Sequence, residues 1–229
     1  MSVRFRALAC LGALAGWSLF CAVVSASPEN MDWVARTWQS DDGLPDNNVT
    51  GIGQTSDGFL WITTQGGLAR FDGLQFKRVS LPSLSGMPIE MIRALTVAKG
   101  DQLWMALEGG VVVCAGPNET KVYTDKLPMV RPSCITEDGK GAIWVGYSDG
   151  SVVCVAGNKE EMAKGRQWPP GAGWCWLIAD ARGQLWSAKA GRIASYQSGQ
   201  FVPRLSMPER ATCIGRARHE WIWICAGRT

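Results

Sequence analysis

The sequence predicts an all-β chain arranged as a β-propeller, and two observations carry that prediction. The first is a tryptophan that recurs in an aliphatic setting: Trp61, Trp104, Trp144, Trp186 and Trp223 follow one another at intervals of 43, 40, 42 and 37 residues. The second is a proline ahead of each. Pro45, Pro88, Pro128 and Pro170 stand 16 residues before their tryptophans, and Pro208 stands 15 before Trp223. Two landmarks that keep step over five copies define a repeat of about 40 residues, the length of a four-stranded blade, which cannot bury its faces until neighbours stack around an axis.

The first copy shows how each strand arises. Between Leu44 and Phe76, three apolar or β-branched runs, Val49 to Ile52, Phe59 to Thr63 and Leu68 to Phe71, are separated by Asp57-Gly58 and Gly66-Gly67. Glycine supplies the positive φ of tight hairpin turns, so the runs fold back on one another as an antiparallel meander. A fourth strand over Phe76 to Val79 completes the sheet. The same reading gives blades at about 44–80, 81–124, 125–168 and 169–206, and a partial fifth at 207–229. Only Asn158 to Gln167 is polar enough to depart from the pattern, and it reads as an elongated outer loop with a helical turn. Ahead of blade one, the register of R-T-W-Q-S-D-D-G-L-P places Trp38 on an outermost, fourth strand of a blade with no earlier strands. Copy five stops in ICAGRT before its third strand. The expectation is therefore an incomplete ring, a fragment of a longer reading frame, which a natural stop codon after Thr229 would contradict.

The run GLPDNNVTGIGQTSDGFLWITTQGGLARFDG resembles the two-component regulator propeller repeat, which builds the periplasmic sensor domains of bacterial hybrid histidine kinases and related receptors. The resemblance covers residues 36–76 and thins afterwards, where the G-L-x-R-F-D-G end becomes GGVVVCAG, DGSVVCVAG and GRIASYQSG. It implies a sensor head for a small molecule or an oligosaccharide, homodimeric as such receptors can be, with no catalytic residue and no cofactor. The T-S-D-G-F-L-W run is also similar to the Asp-box turns of sialidase propellers, but the arginine cluster and tyrosine nucleophile of those enzymes cannot be placed here.

Met1 to Ala26 carries Arg4 and Arg6, an apolar run over Ala7 to Val24 and a Val-Ser-Ala end, the pattern of a signal peptide cut after Ala26. The protein is thus expected to be periplasmic or otherwise extracytoplasmic. An uncleaved anchor is the alternative. Phe20 before Cys21 lacks the small residue of a lipoprotein signal, so no lipid anchor is expected. Residues 27–229 then form the partial propeller, with 21 basic against 20 acidic residues. That balance, without a cluster of Lys or Arg, excludes an electrostatic grip on nucleic acid. Membrane attachment is expected only through a downstream segment or an uncleaved signal.

Six cysteines follow residue 26. Cys114 and Cys154 stand ten residues after their tryptophans, and Cys134 and Cys213 ten before theirs, which makes them equivalent strand positions and points to packing. An exported chain could also bridge some of them. No metal site is expected, since there is no C-x-x-C and His219 is the one histidine. The repeated tryptophans are assigned to packing between blades.

The candidate ligand residues come from one segment that breaks the repeat and from one register position within it. In WPPGAGWCW at 168–176, which joins blades three and four on the face of the central opening, Trp174 either stacks on a sugar ring or fills space beside the axis. Around 13 residues before each tryptophan stand Asn48, Met91, Arg131, Gly173 and Arg210. Asn48, Arg131 and Arg210 would face the channel mouth, where the arginines either hold a carboxylate or sulfate or are solvated. Neither G-x-S-x-G, H-E-x-x-H nor a P-loop occurs, and Tyr123, Tyr147, Tyr196 and His219 are scattered. The function expected is a ligand-binding sensor propeller whose output domains lie outside this chain. The alternatives are a secreted interaction scaffold and a carbohydrate-active propeller enzyme.

Overall fold

The computed structural model describes residues 35–81, 91–116, 119–216 and 222–227. The signal segment, Pro88, Asn118 and His219 lie outside them. Everything from Thr37 onward belongs to one compact unit. Among the described residues no helix is long and apolar enough to cross a membrane.

Five antiparallel sheets follow in chain order. The first contains β1 (Val49–Gln54), β2 (Leu60–Thr64), β3 (Gly67–Phe71) and β4 (Phe76–Val79). The second contains β5 (Ile92–Ala98), β6 (Gln102–Leu107), β7 (Val112–Ala115) and β8 (Thr120–Tyr123). The third has β9 (Pro132–Glu137), β10 (Ile143–Tyr147) and β11 (Val152–Ala156). In the fourth are β12 (Trp176–Ala179), β13 (Leu185–Lys189), β14 (Arg192–Gln197) and β15 (Gln200–Ser206), and in the fifth β16 (Ala211–Arg216) and β17 (Ile222–Ala226). The innermost strands pack in the order β1, β5, β9, β12, β16, and among the described residues no such packing joins β16 back to β1. The chain is a partial propeller.

Every repeated tryptophan occupies the same place, facing the first strand of its own sheet: Trp61 opposite Gly53, Trp104 opposite Thr96, Trp144 opposite Thr136, Trp186 opposite Ile178 and Trp223 opposite Gly215. The first three reach toward the following sheet. Trp61 packs with Leu103 and Met105, Trp104 with Ile135, Ile143 and Val145, and Trp144 with Leu177 and Leu185. The neighbours of each tryptophan on its strand point the other way, as the two-residue period of a strand requires. Cys114 and Cys154 stand opposite Trp104 and Trp144, which bears out their assignment to equivalent packing positions.

In three sheets the turn before the tryptophan fastens its indole. Asp138 accepts from the backbone nitrogens of Lys140 and Ala142 and from Trp144 Nε1 at 2.9 Å. Asp180 does the same for Arg182, Gln184 and Trp186 Nε1, the last at 2.8 Å. In the first sheet Thr55 Oγ1 takes the Trp61 indole at 3.1 Å and is itself bonded to Asp57. The same turns link neighbouring sheets: Ser56 donates to Asp101, Lys99 N donates to Glu137 at 3.1 Å, and Gly139 N donates to Gly183 O at 2.8 Å.

Two expectations need correction. Trp38 does not lie on a strand; it precedes a 3-10 turn at Ser40–Asp42 and sets its ring edge-on to Phe71 and Phe76 at 5.0 and 5.5 Å. The aromatic pair on β3 and β4 gives this indole apolar cover. The third sheet also has no fourth strand. After β11 the polar segment forms α1 (Lys159–Ala163), started by Asn158, whose side chain accepts from the nitrogens of Glu160 and Glu161. Only one bridge, Val152 to Gln167, remains of the missing ladder. Helix α1 is held by the fourth sheet instead: Glu161 accepts from Tyr196 Oη, and Lys164 Nζ at the end of the helix donates to Gly199 O at 3.5 Å.

Candidate functional site

At the end of the molecule where the innermost strands begin, four sheets share one construction. The residue ahead of the first strand accepts a backbone hydrogen bond from the residue that follows the tryptophan strand: Asn48 from Gln65, Met91 from Glu108, Arg131 from Ser148 and Arg210 from Gly227. These positions are therefore equivalent, as the sequence register predicts. In the same four sheets the pairing shifts register once, at Val49/Gly51, Ile92/Ala94, Pro132/Cys134 and Ala211/Cys213, before a final pair.

The fourth sheet departs from this plan. Its ladder ends at Trp176 opposite Ala188, and residues 168–175 leave as a loop. Pro169 and Pro170 cannot donate to a ladder, and Gly171 and Gly173 take positive φ of 115° and 77°. The loop rests on Lys189, which is 3% exposed and whose Nζ donates to Gly150 O at 3.1 Å and Pro169 O at 3.2 Å. A side chain at Gly171 would meet Lys189 O at 2.5 Å, and one at Gly150 would meet Lys189 Nζ at 2.5 Å. Backbone and ammonium thus approach as closely as glycine allows, and the Trp168 ring closes over the ammonium at 5.6 Å.

That support displays Trp174, 45% exposed, with the Arg131 guanidinium 5.2 Å from its ring centroid. Trp176 stands beside it at 6.5 Å. Between the fourth and fifth sheets an open cleft of about 930 Å³ is lined by Gly173, Trp174, Trp176, Ala190, Arg210 and Gly227, with Glu209 on the same wall. Three of the four ligand residues expected from sequence, Arg131, Trp174 and Arg210, are brought into one region from the third, fourth and fifth sheets. Asn48 is not; its strand packs on β5, away from the cleft. Trp176 belongs to the same WPPGAGWCW run that the sequence singles out, whereas Lys189 carries no signal that marks it as part of this region, because a lysine reads as surface.

Exposed indole faces can stack on the apolar face of a sugar ring, and a guanidinium offers forked donors to a carboxylate or sulfate. The cleft's titratable side chains are Glu209 and Arg210. Among the described residues no group of three or more His, Cys, Asp or Glu could hold a metal ion.

Fold and cleft together define a β-propeller module. Residues 43–66, within the first blade, match the family model described as Two component regulator propeller. No curated protein matches the chain. Among solved structures, virginiamycin B lyase from Staphylococcus aureus, in a catalytically inactive form with quinupristin, is 17% identical with a TM-score of 0.64, over 79% of this chain and 64% of that one. The extracellular domain of a hybrid two component system from B. thetaiotaomicron is 20% identical with a TM-score of 0.57, over 79% of this chain and 26% of that one. A gluconolactonase from Xanthomonas campestris is 14% identical with a TM-score of 0.57, over 78% and 69%. At these identities the likeness is one of fold, shared by enzymes and a receptor domain. The chain spans 64% of the lyase and about a quarter of the receptor domain.

Proposed function

We propose that this chain is the extracytoplasmic ligand-binding propeller of a two-component-type signalling receptor, and that the cleft beside Trp174 takes an acidic oligosaccharide. The observation that carries the site is the convergence of Trp174 with Arg131 and Arg210 from three separate sheets. The repeat at residues 43–66 supports the receptor role. In this reading a sugar ring stacks on Trp174, the arginines take its anionic groups, and Glu209 accepts from its hydroxyls. Occupying the cleft fixes the fifth sheet against the fourth, and a relay outside these 229 residues carries that change onward. A signal peptide over residues 1–26 and pairing of two copies, both expected from the sequence, would fit the same role.

A thermal-shift screen against acidic and neutral oligosaccharides tests it, because a ligand of the native state raises the melting temperature by mass action. Acidic sugars should raise it with saturation, and Trp174→Ala should abolish the rise while leaving the ligand-free melting temperature close to wild type. Arg210→Ala should weaken acidic sugars selectively. Failure of acidic and neutral sugars alike to shift the melt would overturn the proposal.

A further inference from the structure

The six cysteines described are thiols, and they fall into two groups. Cys114, Cys154 and Cys175 are buried in the interfaces between sheets. Cys134 is engaged on both sides, accepting from Leu177 N at 3.1 Å and donating to Cys175 O at 3.3 Å. Burial pushes the Cys134 and Cys154 thiols up to about 11 and raises those of Cys114 and Cys175 as well, which suppresses the thiolate needed for exchange.

Cys213 and Cys225 differ in exposure and in what they face. Both are exposed, and they face each other across the β16–β17 ladder. Residues directly opposed in an antiparallel pair have Cα atoms about 4.5–5.5 Å apart and side chains on one face, inside the roughly 4.4–6.8 Å window of disulfides. Cys213 also hydrogen-bonds Cys225 and raises its thiol, as two sulfurs within reach of each other do.

We infer that Cys213 and Cys225 form a cross-strand disulfide that locks the wall of the cleft. One thiolate attacks a sulfur of a disulfide oxidant, forming a mixed disulfide and expelling one half of the oxidant as a thiol. The second cysteine then attacks the protein sulfur of that mixed disulfide and releases the other half. Two S–H bonds are lost, one S–S bond forms in the protein, and the oxidant takes up both electrons and both protons. The next pair along the ladder, Ala211 and Ala226, lies between the bridge and the cleft residues Arg210 and Gly227. A closed bridge therefore pins both ends of the cleft's far wall. The bond does not depend on the sensor reading; its consequence for a bound ligand does.

Incubating the purified full chain with glutathione disulfide, trapping with an alkylating reagent and mapping tryptic peptides without reduction tests the bond. Cleavage at Arg210, Arg216 and Arg228 separates the two cysteines, so the bridge should appear as ATCIGR joined to a peptide ending WIWICAGR, two hydrogens lighter than their sum. The other four cysteines should alkylate only after denaturation. Cys213→Ser should abolish the linked pair and leave Cys225 alkylated, with the other four unchanged. Recovery of both cysteines alkylated or separately glutathionylated, or linkage of either to a core cysteine, would overturn the inference. Sugar binding plays no part in this readout, so failure of the bond and failure of the proposed ligand site are told apart.

Discussion

Trp144 and Trp223 hold the same place in their sheets and have opposite surroundings. Trp144 is 1% exposed, meets Tyr196 edge-on at 4.7 Å and donates its indole hydrogen to Asp138. Trp223, also on the second strand of its sheet and also between isoleucines or aliphatics, is 71% exposed. What separates them is the next sheet: β12 to β15 cover Trp144, and no described sheet covers Trp223. The repeat dictates where a tryptophan points, while burial is conferred by the neighbour. A propeller's stability is therefore a sum over interfaces rather than over blades.

The largest expected effect follows directly. Trp144→Ala removes a fully enclosed indole and should cost about 3–5 kcal/mol, whereas Trp223→Ala should stay within about 0.5 kcal/mol. Urea unfolding of the two variants side by side measures the difference, and equal losses would break the comparison.

Next comes the fastening of the buried indole. Asp138→Ala strands two backbone N–H groups and the Trp144 indole, and should cost about 1–3 kcal/mol by the same measurement. In the second sheet the equivalent position is Ala98, and the Trp104 indole finds only Gln102 Oε1 at 3.4 Å. Gln102→Ala should accordingly cost less than Asp138→Ala. A reversed order would mean that the turn aspartate shapes the turn without anchoring the tryptophan.

How much of this was legible in the sequence divides along the same line. The tryptophan period located the second strand of all five sheets, and the distance of ten residues placed Cys114 and Cys154 correctly, because strand pairing preserves sequence spacing. The helical turn within 158–167 was legible from its polarity, but the position of Trp38 and the loss of the third sheet's fourth strand escaped. In both, a side-chain contact replaces a ladder: aromatic packing on Phe71 and Phe76 in one, the capped helix and its Glu161–Tyr196 bond in the other. Spacing cannot register such contacts, since they depend on which sheet arrives next to the segment. Of the site, Trp174 was legible as an interruption of a regular pattern, and Arg131 and Arg210 by their register alone. Lys189 was not, because its burial is created by a loop arriving from another part of the chain.

The Glu161 latch sharpens the comparison at the interface that covers Trp144. Burial pulls the Glu161 carboxyl upward, but hydrogen bonds from Tyr196, Lys164 and Gln167 outweigh it and hold the group below the usual carboxylate range. A depressed folded-state value means that the latch contributes fully above the unfolded glutamate's titration, near about pH 4.3, and that its contribution is lost as pH falls through the lower folded value. Melting temperature followed from neutral to acidic pH should fall more steeply in the wild type than in Glu161→Gln, which has no charge to lose there. Parallel curves would show that α1 adds nothing to the seal between the third and fourth sheets.

The smallest effect expected has the opposite sign. Three residues beyond their tryptophans stand Thr64, Leu107, Tyr147 and Lys189, all buried, and the polar groups of Thr64 and Lys189 bond to backbone carbonyls. Tyr147 is the exception: its ring lies in the interface of the second and third sheets among Ala94, Ala106 and Val112, and its hydroxyl finds no hydrogen-bond partner. A buried hydroxyl in that state has lost water without recompense, and the same burial raises its pKa. Tyr147→Phe keeps the ring and deletes the orphan oxygen, so stability should be unchanged or higher by up to about 1 kcal/mol. Tyr147→Ala should instead lose several kcal/mol through the cavity left between two sheets. A loss of about 1 kcal/mol or more in the phenylalanine variant would mean that the hydroxyl is bonded in solution, and this interface would then be held by polar contacts as well as by packing.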